Sequence, residues 1–221
     1  MSKILVLAGT VGAGKSTMAS MLYRYFLAKM VKVHKTFLKS YHLLSYFIIY
    51  FLAICLFKGR FSLNPFMVIR EKSPILRKKL YGILLILDFF ETLILNLIKV
   101  LIPFKLGYIV IVEEHICGYL SDWLHYALVN PKFFYKYGSK IVTLYLRFVS
   151  SWPMQVFFLD APNSVLKERW VLRRSCSEVE SYLNAQRAAI NILVRTGIRV
   201  FFIRTDRSIT ETFKEIVRNL G

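Results

Sequence analysis

Short apolar runs separated by longer mixed stretches set the rhythm of this chain. Lys3–Ala8 is apolar throughout after its lysine, and Leu106–Val112, Gln155–Leu159 and Arg199–Ile203 repeat the design. Runs of this length without polar alternation mark buried parallel strands, and Val31–Phe37 reads as a further strand. Between them the spacing predicts helices over 15–29, from Pro162 through Arg173, over about 177–195, and from Ser208 to Leu220. Pro162 suits a first helical turn, and Gly197 suits a left-handed stop. Ser208-Ile-Thr-Glu211 has the form of a capping box. Strands alternating with helices in this way predict an α/β fold of three layers, a parallel sheet with helices on both faces. The first strand is expected between the strands that end at Glu113 and Leu159.

Two stretches break the rhythm, Leu43–Phe57 and Leu80–Ile102. The first is shorter than the ~20 residues a bilayer span needs. The second is long enough, but it carries Asp88, Glu91, Thr92, Asn96 and Lys99 at helical spacing. A polar stripe on one side describes an amphipathic helix rather than one surrounded by lipid. Two spans would also place the basic connector between them on the wrong side of a membrane. Residues 38–105 therefore read as an apolar helical insert within a single domain, 1–221. Its role stays open between an acceptor-binding core, a homodimer interface and a face resting on an anionic membrane surface.

Composition narrows the classes. With 56% apolar and 20% charged residues, the chain is neither disordered nor a coiled coil. Its net charge of +18 is uneven, since residues 1–80 hold fourteen Lys and Arg against the single acid Glu71. Such a field attracts phosphates, nucleic acid or anionic lipid. No helix-turn-helix, zinc or RNA-recognition motif accompanies it, so specific nucleic-acid binding is not expected. Cys55, Cys117 and Cys176 form no disulfide framework, which suits a cytoplasmic protein, with peripheral membrane contact through the insert as the open variant.

The chemistry begins where the first strand ends. Gly9-Thr10-Val11-Gly12-Ala13-Gly14-Lys15-Ser16, followed by Thr17, fits GxxxxGK[ST] between a predicted strand and a predicted helix. Its glycines let backbone N–H groups turn inward around phosphates, and the helix N-terminus adds partial positive charge. Lys15 supplies a point charge, and the Ser16 hydroxyl is placed to ligate Mg²⁺. ATP and Mg²⁺ are the expected ligands. A second buried strand should carry an acid for the metal, and Ile109–Val112 ends in Glu113-Glu114. Successive side chains point to opposite faces, so the choice between the two stays open.

With these motifs and Leu159-Asp160-Ala-Pro162-Asn163 leading to Arg169, the chain resembles the thymidylate kinase family of P-loop kinases over roughly 3–36 and 106–220. The resemblance implies a P-loop NTPase fold and a lid of arginines over the phosphates, for which Arg169, Arg173 and Arg174 are the matching positions. Two departures concern the acceptor. Where the family carries Asp-Arg-Tyr, this chain has Glu113-Glu114-His115, and its Arg-Glu-Pro-Gly stretch reads Lys35-Thr-Phe-Leu-Lys39. The expected activity is transfer of the γ-phosphoryl group of Mg-ATP to a small acceptor, a nucleotide or nucleoside first. Lys39, His42, Arg70 and Tyr119 are the acceptor candidates. The alternative is an ATP-binding switch or membrane-surface ATPase without an acceptor.

Overall fold

The apolar runs become five strands of one parallel sheet: β1 (Ile4–Gly9), β2 (Val33–Leu38), β3 (Ile109–Glu114), β4 (Met154–Asp160) and β5 (Arg199–Arg204). The computed structural model describes residues 3–40, 43–57, 74–128, 131–174 and 178–220. The spatial order is β2-β3-β1-β4-β5, every neighbouring pair parallel. β1 therefore lies between β3 and β4, as expected. All carboxyl ends share one edge, where ligands of such sheets bind.

Alternation along β1 builds the two cores. Ile4, Val6 and Ala8 face one side, Leu5 and Leu7 the other, and all five are fully buried. The Leu5 side is covered by α1 (Lys15–Ala28), α8 (Asn163–Leu172) and α10 (Ile209–Arg218) through residues such as Leu22, Leu166 and Ile216. The Ile4 side is covered by α3 (Pro74–Asn96), α5 (His115–Ala127), α7 (Ser139–Ser150) and α9 (Glu180–Arg195). Burying one such Leu or Ile stabilises the fold by roughly 1.5–3 kcal/mol before the loss of chain entropy. These are the three layers the alternating pattern predicts. Ser208 and Glu211 form the expected capping box of α10, and Gly197 is left-handed at φ 79°.

The insert holds two long helices, the second with bounds that differ from the reading. α2 (Leu43–Phe57) matches the reading, and α3 starts at Pro74, ahead of Leu80, because proline suits a first helical turn. α3 continues through a π-helical turn, Leu97–Leu101, into α4 (Ile102–Lys105). Gly107, left-handed at φ 88°, then turns the chain and delays β3 to Ile109. The polar stripe on α3 exists, but it faces inward: Asp88, Glu91, Thr92 and Asn96 are all buried.

Each carboxylate or amide of that stripe has partners, which makes its burial tolerable. Trp123 Nε1 donates to Asp88 Oδ2 at 2.9 Å. The Ser45 amide and hydroxyl donate to the two Glu91 oxygens at 2.8 and 2.6 Å, tying α2 to α3. Asn96 Nδ2 donates to the Thr92 carbonyl at 2.7 Å and to the Tyr145 hydroxyl at 3.1 Å. Ile49 and Ala53 of α2 pack on Leu84, while the outer faces of both helices carry large apolar side chains. Among the described residues, no helix is long and apolar enough to cross a membrane.

Candidate active site

β1 can run into the turn only because Gly9 lacks a side chain. A Cβ there would lie 1.9 Å from the Leu159 carbonyl oxygen of β4. Gly9, Gly12 and Gly14 take φ of 143°, 93° and 87°, conformations that suit glycine and curl the loop over the start of α1. Gly14 is the N-cap of α1, so Lys15 and Ser16 occupy its first turn. Trp170 of α8 backs the loop, its Nε1 donating to the Val11 carbonyl at 3.2 Å. Gln186 of α9 holds it from the other side, Oε1 accepting from the Val11 amide at 3.1 Å.

Both glutamates at the end of β3 reach this loop. Ser16 Oγ donates to Glu113 Oε2 at 2.5 Å, and Lys15 Nζ lies 3.1 Å from Glu114 Oε1. Lys15 also donates to the carbonyls of Gly9 and Thr10 at 3.0 and 2.9 Å, and it is only 8% exposed. Period-two alternation would have sent one of the two carboxylates away. The strand escapes the alternation by turning left-handed at its end, with Glu114 at φ 68° and His115 at φ 45°. Such conformations cost on the order of 1–3 kcal/mol for a residue with a side chain, and they collect at functional sites. The Lys15 contact holds Glu114 there, and Gly118 makes room, since a Cβ on it would lie 3.0 Å from Glu114 Cβ. His115 is fully buried beneath, its Nε2 2.6 Å from Asn96 Oδ1, and burial lowers its pKa to about 3.

The donor set fits the expected ligands. A hydroxyl and a carboxylate, Ser16 and Glu113, meet as hard oxygen donors of the kind Mg²⁺ takes. Glu113 is the partner of Ser16, with Lys35 Nζ 3.8 Å from its other oxygen, and Glu114 is the partner of Lys15.

The three arginines of α8 are not equivalent. Arg169 Nη1 donates to the Gly12 carbonyl at 3.3 Å and to Thr205 Oγ1 at 3.2 Å, and its Nη2 to the Thr205 carbonyl. It braces the loop against the end of β5. α8 ends at Leu172, so Arg173 is its C-cap, and Arg174 turns left-handed at φ 51°. Arg173 and Arg174 are both exposed. Arg173 lies one turn on from Arg169, its amide donating to the Arg169 carbonyl at 3.1 Å.

Of the acceptor candidates, His42 and Arg70 lie outside the described residues. Tyr119 is corrected: it is fully buried on α5, edge-on to Tyr145 at 5.7 Å and beside Trp123, a core residue. Lys39 is half-buried just beyond β2, where Leu38 pairs with Glu114. Its ammonium lies 5.7 Å from the Tyr182 ring. Burial works against the Lys39 charge, yet the carboxylates of Asp122, Glu114 and Glu178 raise its pKa above the ordinary value. Tyr182 donates to Asp122 Oδ1 at 2.8 Å. Burial raises the Asp122 carboxyl, only partly opposed by Lys39 and the Tyr182 hydroxyl.

Several of these residues escape a reading of motifs. Asp160 accepts from Thr10 Oγ1 at 2.9 Å and from Arg187 Nε at 2.9 Å, and Arg187 Nη2 also reaches Asn163 Oδ1 at 2.9 Å. Tyr182, Gln186 and Arg187 all come from α9, and only the order of strands brings that helix to the loop. The Asp160–Pro162–Asn163 stretch was the available signal for one half of the contact.

No protein-family model matches the chain. No curated protein matches it. Among solved structures, the crystal structure of thymidylate kinase from Ehrlichia chaffeensis aligns over 100% of this chain and 99% of that one, with a TM-score of 0.56 at 15% identity. The chain shares the fold of a P-loop thymidylate kinase over its whole length, the family its motifs resemble.

Proposed function

We propose that the protein is an ATP-dependent phosphotransferase of nucleotide-kinase type, acting on a small acceptor, with nucleotides and nucleosides the first class. It works as one domain, 1–221, whose insert 38–105 contributes to the acceptor side. The observation that carries the reading is the double contact of β3 with the loop, Ser16 on Glu113 and Lys15 on Glu114. A glycine-rich turn of purely structural kind has no need of two buried carboxylates and a buried lysine at its mouth.

In this reading the amides of the loop and Lys15 hold the β- and γ-phosphates of ATP. Ser16 and Glu113 hold Mg²⁺, which when bound neutralises phosphate charge. Asp160, fixed by Arg187, positions Thr10, while Arg169 and Gln186 fix Gly12 and Val11. Such fixing matters because phosphoryl transfer depends mainly on positioning and electrostatics. Arg173 and Arg174 are the mobile cations of the lid, and Lys39 with Asp122 and Tyr182 forms the acceptor wall. Lys39 stands in for the arginine that the family carries where Glu114 sits here.

The test is transfer of label from γ-labelled ATP across nucleosides, nucleotides and polyprenol-type alcohols. Acceptor-dependent ADP release supports the kinase. Turnover indifferent to every acceptor would move the chain to the second reading, an ATP-binding switch or ATPase. The observation favouring that reading is Glu114 itself, an acid at the position of an acceptor-binding arginine. Within the lid, Arg173→Ala should lower kcat more than it raises the KM for ATP, and more than Arg174→Ala does.

A further inference from the structure

Two buried polar atoms in the acceptor wall have no partner. Asp122 is 9% exposed and Ser40 7%, yet neither Asp122 Oδ2 nor Ser40 Oγ has a hydrogen bond among the described residues. The two side chains are neighbours: the Ser40 hydroxyl stands near enough to favour the charged form of the Asp122 carboxyl without closing a hydrogen bond. Buried polar atoms of folded proteins are nearly always paired, so two orphans at one spot mark a place for a ligand group. The surroundings are fixed. Tyr182 donates to the other oxygen, Asp122 Oδ1, at 2.8 Å, and its ring stands edge-on to His125 at 5.4 Å. Ser40 follows Lys39, whose ammonium lies 5.7 Å from the same ring.

These atoms define what fits. A single hydroxyl satisfies both, donating to Asp122 Oδ2 and accepting from Ser40 Oγ. The amino group of a base donates but does not accept, and it leaves the Ser40 proton unpaired. A phosphate accepts but brings Asp122 no proton, and the carboxylates of Glu114 and Glu178, which also act on Lys39, oppose its charge. Asp122 lies about two turns of α5 beyond Glu114, on the order of 10 Å. The hydroxyl read there is therefore distinct from the oxygen that attacks the γ-phosphate beside Lys15.

We propose that Ser40 and Asp122 form a hydroxyl-reading subsite, in which a sugar hydroxyl of the nucleoside or nucleotide acceptor enters beside Lys39 and bonds to both. The assignment rests on the nucleotide-kinase reading and adds to it the chemistry that selects the acceptor. A site whose buried polar groups are left unpaired by a deoxy analogue rejects that analogue strongly.

The experiment is label transfer from γ-labelled ATP to the common nucleosides and their 5′-monophosphates, each in ribo, 2′-deoxy and 2′,3′-dideoxy form. At one of the two hydroxyl removals, kcat/KM of wild type should fall at least about a hundredfold. Asp122→Ala and Ser40→Ala should each shrink that ratio below about tenfold, with the KM for ATP within about twofold of wild type. Ser40→Ala removes one unpartnered hydroxyl and leaves the Tyr182 contact in place, so it carries the test if Asp122→Ala does not fold. Equal use of all three sugar forms by wild type would overturn the subsite and leave the kinase reading standing, as would an undiminished ratio in Ser40→Ala. Turnover of ATP without transfer to any acceptor would overturn the kinase reading and the subsite with it.

Discussion

Helices α9 and α3 cover the same side of the same sheet, and they are amphipathic in opposite senses. α9 turns Ala189, Ile190 and Leu193 inward against the strands. α3 buries Leu85, Phe89 and Leu95 as well, but it also takes in Asp88, Glu91, Thr92 and Asn96 and leaves isoleucine and phenylalanine outside. The difference is one of partners. α9 packs on α5 and β5 and brings Gln186 to Val11 of the loop and Tyr182 to Asp122. α3 packs on α2, α5 and α7, whose Ser45 and Trp123 donate to its carboxylates and whose Tyr145 hydroxyl accepts from its amide. Periodicity reveals that a helix has two faces. Which face is inside depends on what its neighbours and surroundings offer.

Substituting the same residue type on both helices should break the symmetry most sharply. Leu193→Asp in α9 places an unpaired charge in the core and should cost about 3–5 kcal/mol in urea unfolding. Ile94→Asp in α3, by contrast, belongs at the bottom of the scale, within about 0.5 kcal/mol of wild type, because the position already faces outward. Comparable destabilisation by the two would contradict the inverted assignment.

Between these limits lies the polar interior of α3. Glu91→Ala removes the carboxylate that accepts from the Ser45 amide and hydroxyl, and should cost about 1–3 kcal/mol. Glu91→Gln keeps an acceptor and should recover part of it. A neutral outcome for Glu91→Ala would mean that the carboxylate does not tie α2 to α3.

His115, which bonds to the end of α3 through Asn96, gives a pH handle. Its folded pKa, about 3, lies below the unfolded value near 6.5, so the unfolded chain binds more protons between these limits. Its contribution is full above pH 6.5 and is lost as pH falls toward 3, about 2 kcal/mol between pH 6.5 and 5. His115→Gln should flatten that part of the stability profile. An unchanged slope would show that other groups set it.

The strands, their order around β1 and the phosphate loop were legible because each rests on local signals: uniform apolar runs, glycines at fixed spacing, an N-cap and a capping box. That both Glu113 and Glu114 reach the loop was not, because a left-handed turn at Glu114 overrides the alternation that strands ordinarily obey. Tyr119 misled as an acceptor candidate because a phenol can be either a ligand or a core residue, and its aromatic partners Trp123 and Tyr145 are brought together only in three dimensions. Arg187, Gln186 and Tyr182 stayed hidden for the same reason. Their targets Asp160, Val11 and Asp122 lie on other elements, met only through the fold.

The most direct test of the assigned chemistry is label transfer from γ-labelled ATP to the best acceptor by wild type, Lys15→Ala and Glu113→Gln, measured side by side with Mg²⁺ varied. Removing the loop's buried lysine should lower transfer at least about a hundredfold, since it takes away charge stabilisation that nothing else in the loop supplies. Glu113→Gln should shift the Mg²⁺ requirement upward and leave Lys15 in place. Wild-type transfer by the Lys15→Ala protein would contradict the account.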